Sequence, residues 1–328
     1  MSFAAPAGAI TCVVGPSGCG KSTLLRLAAG LLLVQQGEIH VDDQPVSAPG
    51  LNVPPEQRSV GLVFQEGALF PHLTVEQNIG FGLRDGASGT QIAELIGLTD
   101  LAGLEKRHPH ELSGGQRQRV ALARALAPKP RVLLFDEPYA NLDQALRRQL
   151  RDATRQLVTE LDMVAVFVTH DSDDVTALAD IVIALDEGRV VQQGSPRDLF
   201  DHPAHASVAR LFGQTQRIRA RKSGDTIETA FGDWPADCLA IAAPADCELE
   251  LLVRPDGMTV EAHPEGLPVA ELRVSGADDL VCVQAPDESV IRVRIGRPHE
   301  ISSGTRVLVR PMHERVFPEN IANKTHSQ

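Results

Sequence analysis

The stretch that decides the fold of this chain reads Gly15-Pro16-Ser17-Gly18-Cys19-Gly20-Lys21-Ser22-Thr23. It fits the pattern G-x-x-x-x-G-K-[ST], in which a glycine-rich loop surrounds phosphate groups with backbone N–H donors. The apolar run 10–14 before the loop predicts a buried strand, and residues 22–29 predict the start of a helix. This strand-loop-helix order predicts a nucleoside-triphosphate site, with Lys21 on the β- and γ-phosphates and Ser22 on Mg²⁺.

A second apolar run, residues 131–135, ends at Asp136 and is followed at once by Glu137. The run predicts a central parallel strand, and α/β sheets bind ligands at the carboxyl ends of such strands. We expect Asp136 to hold Mg²⁺ through water. We expect Glu137 to polarise the attacking water, the step that phosphoryl transfer leaves to the protein. Alone, the acid pair would indicate a solvated turn, so this prediction depends on the phosphate loop.

Two further polar residues follow predicted strands. His170 comes after the β-type run 165–169, and Gln65 comes after the run 60–64. A histidine at such a place is often a structural residue. His170 nevertheless stands at the next strand end after the acid pair, which favours a sensor of the γ-phosphate. Gln65 is a candidate contact for Mg²⁺ and the attacking water, although a glutamine after a strand carries little information by itself.

The order of these motifs resembles the ATPase subunit of ABC transporters over about residues 3–210. The matching motifs are the Walker A loop 15–23, the Q-loop Gln65, the signature Leu112-Ser113-Gly114-Gly115-Gln116, the Walker B strand with its glutamate 132–137, the D-loop Asn141-Leu142-Asp143 and the switch histidine His170. The resemblance implies a homodimer that closes face to face on two ATP molecules. The helix expected after Ser113 would direct N–H groups at the γ-phosphate held by the opposite subunit.

The candidate site residues fall into three groups by the role that the motifs imply. The expected catalytic residues are Glu137, His170 and Gln65. The expected Mg²⁺ ligands are Ser22, Gln65 and Asp136. The residues expected to bind ATP are Gly15, Pro16, Ser17, Gly18, Cys19, Gly20, Lys21, Ser22, Thr23, Ser113, Gly114, Gly115, Gln116 and Asp143.

The pattern of elements predicts an α/β P-loop NTPase fold at 1–212, and the resemblance implies the ABC ATPase type, with a helical signature subdomain at about 72–128. Thr74 with Gln77 resembles a capping box. Residues 143–161 predict an amphipathic helix whose core-facing stripe is Leu146, Leu150, Ala153, Leu157 and Leu161.

Beyond about residue 213, helical periodicity gives way to short β-type runs separated by turns. The segment 213–328 therefore predicts a small all-β domain of OB-like type. It resembles the accessory domain of importer ATPases. OB folds often bind oligonucleotides, but a single Trp and little aromatic surface favour a regulatory or dimerising role.

Composition argues against several classes of function. No apolar run is long enough to span a membrane, and we expect no signal peptide because the first residues lack a basic start. Five cysteines without metal-ligand spacing are typical of a reduced cytosolic protein. The net charge of −12 argues against nucleic acid as the main partner. The basic cluster in 217–222 is accordingly expected to be a solvated strand face.

The stretches 64–75 and 109–143 are similar to importer ATPases, and most to those of ferric-iron uptake. The ATPases of polyamine, sulfate and thiamine importers share much of the sequence of these stretches, so these three substrates stay as alternatives to iron. The resemblance implies a peripheral protein at the cytoplasmic face of the inner membrane. Its expected partners are integral permease subunits and, indirectly, a substrate-binding protein, with Phe70 and Leu73 as candidate anchors for a permease helix.

The chain begins 14 residues before Gly15. ABC ATPases normally carry a further segment there, with an antiparallel strand pair and an aromatic ring that stacks on adenine. Two explanations stay open: a start site placed too late, or a truncated, weakly active form that acts as a binding module.

Non-transport ABC proteins, such as DNA-repair or translation factors, are the alternative class of function. Such proteins usually carry coiled coils or two phosphate loops, whereas this sequence has one phosphate loop and no heptad run.

Overall fold

A computed structural model describes residues 1–64, 68–83, 89–140, 142–244, 246–313 and 315–319. The chain divides into two compact units, and the boundary falls between Arg197 and Asp198. The first unit is α/β, and the second is built from antiparallel strands after two short helices. The predicted fold class is therefore confirmed. No helix in these described ranges has both the length and the apolar character that crossing a membrane requires.

The first unit alternates strands and helices along the chain. Its strands are β1 (Ile10–Val14), β2 (Ile39–Val41), β3 (Gln44–Ala48), β4 (Leu51–Asn52), β5 (Val60–Val63), β6 (Val132–Asp136), β7 (Val164–Val168), β8 (Ile181–Asp186) and β9 (Arg189–Gly194). Its helices are α1 (Lys21–Ala28), α2 (Val75–Gly80), α3 (Gly89–Leu98), α4 (Gly114–Leu126), α5 (Gln144–Glu160) and α6 (Ser172–Leu178). A further helix, α7 (Pro196–Asp201), crosses the boundary between the units.

The central sheet has the strand order β5-β6-β7-β1-β8-β9, and each pair is parallel except β8 with β9. Strand β1 is buried at every position, as expected for a parallel strand covered on both faces. Although β1, β6 and β7 are far apart in sequence, they are neighbours in the sheet. Their carboxyl ends therefore bring Gly15, Asp136 and the residues after Val168 to one edge.

Reciprocal side-chain capping fixes the starts of α2 and α4. The predicted capping box is confirmed at α2, where the Gln77 N–H donates to Thr74 Oγ1 over 3.3 Å and the Thr74 N–H donates to Gln77 Oε1 over 2.9 Å. Ser113 and Gln116 form the same reciprocal pair at the start of α4. Each pair satisfies two N–H groups that a helix start leaves without intrahelical partners.

The predicted core stripe of α5 is correct at Leu150 and Leu157, which are buried, and wrong at Ala153 and Leu161, which are exposed. Thr154 is buried in their place. Its hydroxyl accepts a hydrogen bond from the Tyr139 hydroxyl (2.9 Å) and donates to the Leu150 carbonyl (2.7 Å), so its burial leaves no polar group unpaired. Spacing alone could not identify this hydrogen-bonded partner.

Arg58 joins α1 to the small antiparallel sheet β2-β3-β4. It is almost fully buried, and its Nη1 donates to the carbonyls of Leu27 (2.8 Å) and Ala28 (3.0 Å) at the end of α1. Its remaining donors reach the Val53 carbonyl (2.6 Å), Ser47 Oγ (2.6 Å) and Asn52 Oδ1 (2.5 Å). Burial lowers the pKa of the guanidinium. A cation at a helix carboxyl end is also favoured by the helix dipole.

The second unit holds helix α8 (Ala206–Leu211) and two antiparallel sheets with the orders β12-β11-β10-β13-β18 and β16-β15-β14-β17. Their strands are β10 (Gln216–Ser223), β11 (Thr226–Thr229), β12 (Gly232–Pro235), β13 (Cys247–Val253), β14 (Met258–Ser275), β15 (Asp278–Gln284), β16 (Val290–Gly296), β17 (Arg306–Pro311) and β18 (Val316–Glu319). Both sheets contribute to one apolar core, and Trp234 of β12 donates its Nε1–H to the Val309 carbonyl of β17 over 3.2 Å.

The basic cluster of β10 alternates as predicted. Arg217, Arg219 and Arg221 are exposed, whereas Ile218 and Ala220 between them are buried. The register places Arg219 opposite Glu250 and Arg221 opposite Glu248, so acidic residues line the same face. The arginines therefore belong to a mixed-charge strand face.

Arg58→Met provides a test of the link between α1 and the small sheet. We expect the free energy of unfolding to fall by about 3 kcal/mol, because buried carbonyl and hydroxyl groups lose their donor. Urea titration followed by circular dichroism measures this change. Arg148→Met is the matched control, since Arg148 is exposed. Equal midpoints for the two variants would contradict the assigned role of Arg58.

Candidate active site

The phosphate loop lies between β1 and α1, as predicted. Gly20 precedes the helix with φ of +101°, a backbone conformation that other residues adopt only with strain. The Lys21 side chain is buried and folds back over the loop, where its Nζ donates to the Gly15 carbonyl (2.7 Å) and the Pro16 carbonyl (3.0 Å). The two carbonyls thereby hold the ammonium group against the loop, at the start of α1.

Cys19 lies inside this loop and is buried, with its Sγ 3.9 Å from Lys21 Nζ. It packs in the core cluster that includes Val13 and Leu25. Cys19 therefore has a packing role within the loop.

Ser22 and Asp136 connect the loop to the end of β6. The Ser22 hydroxyl donates to Asp136 Oδ1 over 3.0 Å. A hydroxyl and a carboxylate side by side are oxygen donors of the kind that Mg²⁺ prefers, and Mg²⁺ commonly takes its other ligands from water and substrate phosphates. Among the described residues, no three Cys, His, Asp or Glu side chains form a metal cluster. The donor set therefore fits a cation shared with a phosphate ligand.

Glu137 and His170 meet at the adjacent ends of β6 and β7. The Nδ1 atom of His170 lies 2.9 Å from Oε1 of Glu137. Glu137 has a φ of +46°, and its N–H donates to the Val168 carbonyl over 2.9 Å, which holds this strained backbone in place. The Glu137 side chain is 23% exposed and that of His170 is 64% exposed. The pair therefore lines a solvent-accessible edge where a water molecule can be polarised.

The signature residues and Asp143 form a second cluster. Ser113 caps α4, and Asp143 caps α5 by accepting the Leu146 N–H over 3.0 Å. Leu146 lies so close to Gly115 that a Cβ at that glycine would sit 2.6 Å from its methyl carbons. In the described part of the chain, no hydrogen bond joins this cluster to the phosphate loop. The predicted site residues thus form two separate groups within one chain.

Two predicted positions cannot be placed. Gln65, expected to contact Mg²⁺ and water, and Asn141 of the D-loop lie outside the described residues.

Several residues around the site were missed by sequence reasoning. Arg147 and Arg151 of α5 form ion pairs with Asp171 and Asp174, which follow His170 in the chain. Their spacing of four residues on a predicted helix is a signal for one charged face. The acidic partners could not be identified, because the packing of α5 against α6 is a tertiary feature.

Comparisons with known proteins agree with this geometry. The family model described as "ABC transporter" matches residues 1–140. The Fe(3+) ions import ATP-binding protein FbpC of Pseudomonas fluorescens is 41% identical over 265 residues, which cover 80% of this chain and 74% of that protein. The sulfate/thiosulfate import ATP-binding protein CysA of Thermosynechococcus vestitus is 37% identical over 322 residues, covering 95% of this chain and 90% of that protein. The chain belongs to the ABC transporter ATP-binding proteins, in the group of import ATPases.

Solved structures give the same assignment over about three fifths of this ABC ATPase. The cbiO1 protein of Clostridium perfringens, described as part of an ABC transporter complex, is 30% identical with a TM-score of 0.56, covering 61% of this chain and 82% of that one. A dimeric ATP-binding cassette in a post-hydrolysis state with ADP and phosphate is 31% identical with a TM-score of 0.53. The match covers 60% of this chain and 88% of that one. The predicted family and its ATP-hydrolysing activity are confirmed.

Lys21→Ala tests the phosphate loop of this ABC ATPase. We expect the Kd for ATP to rise roughly 30-fold, because a charged hydrogen bond to phosphate contributes about 2 kcal/mol. Equilibrium binding of a fluorescent ATP analogue measures this. Lys106→Ala is the control, since its side chain is exposed and ion-paired only at the surface. An unchanged affinity in Lys21→Ala would remove Lys21 from the binding site.

Proposed function

We propose that this ABC ATPase energises import through a dimer that encloses two ATP molecules. The observation that carries the proposal is the 2.9 Å contact between Glu137 and His170 beside the Ser22–Asp136 pair. In each half-site, one chain contributes loop residues 15–23 and the strand ends. The opposite chain contributes Ser113, Gly114, Gly115, Gln116 and Asp143.

Each half-site residue has a chemical task in this proposal. Lys21 and the loop N–H groups bind the β- and γ-phosphates, and Ser22, Asp136 and Gln65 would hold Mg²⁺. When bound, Mg²⁺ neutralises phosphate charge and orients the γ-phosphoryl group. Glu137 accepts a hydrogen bond from the attacking water and aligns it with phosphorus. His170 fixes the Glu137 carboxylate and contacts the γ-phosphate.

In the proposal, the helix starts at Ser113 and Asp143 are placed against a second copy, because within the described part of one chain they have no hydrogen bond to the phosphate loop. An opposing copy would bring the N–H groups of α4 onto the γ-phosphate, which a helix amino terminus favours. The related dimeric ATP-binding cassette supports this arrangement. ATP binding would close the dimer, and hydrolysis would release it.

Permease subunits are the proposed membrane partners, and a substrate-binding protein would act with them. An aromatic pair offers a docking surface: the rings of Phe70 and Phe81 are 4.1 Å apart, and Phe81 is 61% exposed. The Arg124 guanidinium stacks over Phe70 at 5.4 Å and adds a cation at the same place. Bound to a permease, the protein would lie at the cytoplasmic face of the inner membrane as a peripheral subunit. The all-β unit would serve regulation or dimerisation.

Ferric iron is the proposed cargo. The support is the 41% identity to the FbpC protein of Pseudomonas fluorescens and 38% identity to the Escherichia coli O157:H7 protein of the same name. Sulfate is the second candidate, because the CysA relatives are matched over nearly the whole chain. Uptake of radioactive ferric iron and radioactive sulfate, compared between cells with and without the gene, separates the two. Loss of sulfate uptake alone would contradict the iron proposal.

Glu137→Gln tests the hydrolytic half of the proposal. We expect ATP turnover to fall about a hundredfold or more, because the amide cannot polarise water as a carboxylate does, while ATP binding is retained. Turnover is measured by phosphate release, and ATP-dependent dimerisation by size-exclusion chromatography.

Glu187→Gln is a matched control for this variant. Glu187 is exposed in the turn after β8 and has the same φ of +46° as Glu137. Turnover that persists in Glu137→Gln would show that another group acts on the water. A wild-type protein without turnover or ATP-dependent dimerisation would contradict the proposed function.

A further inference from the structure

The first turn of α5 contacts the start of the signature helix at one position and the residue after His170 at the next. Leu146 lies against Gly115 at the start of α4, with its methyl carbons 2.6 Å from where a Cβ would be. Arg147 forms an ion pair with Asp171, the residue that follows His170. Because both side chains project from one turn, the same piece of backbone holds the signature helix and the histidine segment.

Arg147 begins a row of arginines on one face of α5. Their spacing of four residues places them above one another on the helix. The ion pairs in this row are Arg147 with Asp171, Arg151 with Asp174 and Arg155 with Asp180. The third pair is remote from His170 and the carboxyl ends of the strands. Asp180 Oδ2 also accepts the N–H of Ile10, the first residue of β1, over 2.9 Å.

The first two aspartates fix the backbone on both sides of His170. Thr169 is buried, and its hydroxyl donates to Asp174 Oδ2 over 3.1 Å and accepts the Asp171 N–H over 3.0 Å. The imidazole itself has one hydrogen-bond partner in the described part of the chain, the carboxylate of Glu137. The position of the ring therefore depends on a backbone that α5 holds through its arginines.

Arg147 and Arg151 differ in how firmly they are bound. Arg151 donates to Asp174 Oδ1 through both Nε, at 2.7 Å, and Nη2; the Asp174 side chain is buried and that of Arg151 is 12% exposed. Arg147 reaches Asp171 through Nη1 alone, and its buried Nε has no hydrogen-bond partner. The Arg151 pair thus resembles a fixed structural link, whereas the Arg147 pair can shift with small movements of the helix start.

We propose that Arg147 is a positioning residue for ATP hydrolysis, and that the turn Leu146–Arg147 links the position of His170 to that of the signature helix. This inference rests on the proposed function, in which α4 contacts the nucleotide of the opposite chain. Contact of that nucleotide with Gly115 would press on Leu146. The helix turn would carry the displacement through Arg147 and Asp171 to His170, and so to Glu137 at the chain's own nucleotide.

Arg147→Met and Arg147→Lys test the positioning role. Methionine keeps the apolar stem and removes the charge, so we expect kcat for ATP hydrolysis to fall about tenfold with KM and the Kd for ATP unchanged. Lysine can form the single bond that Arg147 donates, so we expect it to restore most of kcat. A structural defect would instead lower the melting temperature and affect both variants alike.

Arg148→Met is the matched control. Arg148 is next to Arg147 in the chain, and its side chain is exposed and forms no hydrogen bond or ion pair with the described residues. Arg155→Met controls for loss of an ion pair on the same face, away from His170. Wild-type kcat in Arg147→Met, or an equal loss in either control, would overturn the inference. If wild-type protein itself lacks turnover, the proposed function fails and this inference fails with it.

Leu146→Ala tests the link to the signature helix. It removes the contact with Gly115 while leaving Arg147 intact, so we expect the Hill coefficient for ATP in turnover assays to fall towards 1. A Hill coefficient for ATP in Leu146→Ala equal to that of the wild type, together with normal kcat, would overturn the linking role of this turn.

Discussion

Parallel pairing of β1 with β7 on one side and β8 on the other is the constraint on which the rest of the site depends. It places the loop after Val14 beside the ends of β6 and β7, so that the groups proposed to bind phosphate, hold Mg²⁺ and polarise water share one edge. The strand is buried at every residue, and a slip in its register would move the loop away from Asp136. The apolar packing of one strand therefore determines the geometry of polar groups drawn from three distant parts of the chain.

Helix α1 is held at both ends, which keeps the phosphate loop in one shape. At its start, Lys21 is bound by carbonyls of the loop itself. At its end, the Arg58 guanidinium binds the last carbonyls and joins the helix to the small antiparallel sheet. A loop that is already formed loses less conformational entropy when it binds a ligand.

Charge is distributed differently in the two groups of site residues. The strand ends hold acids whose partners are a hydroxyl and an imidazole, whereas the starts of α4 and α5 present capped N–H groups. The proposed ATP-bound protein dimer needs both kinds of surface: one binds the cation and the attacking water, and the other binds phosphate. The ion pairs of α5 carry the proposed link between these surfaces, because the helix capped by Asp143 also holds the backbone around His170.

The sequence by itself determined the local features: the phosphate loop, the strands that lead to Asp136 and His170, the cap at Thr74 and the helix that begins after Ser113. Each is visible because its physical cause lies within a few residues of backbone. Tertiary structure alone decided which strands are neighbours, and that Thr154 rather than Ala153 is buried on α5, through its bond to Tyr139. It also decided that Arg58 binds the last carbonyls of α1 and that Arg147 pairs with Asp171. These features depend on contacts between segments far apart in the chain, and a residue's own neighbours in sequence do not specify what it will face across a packed interface.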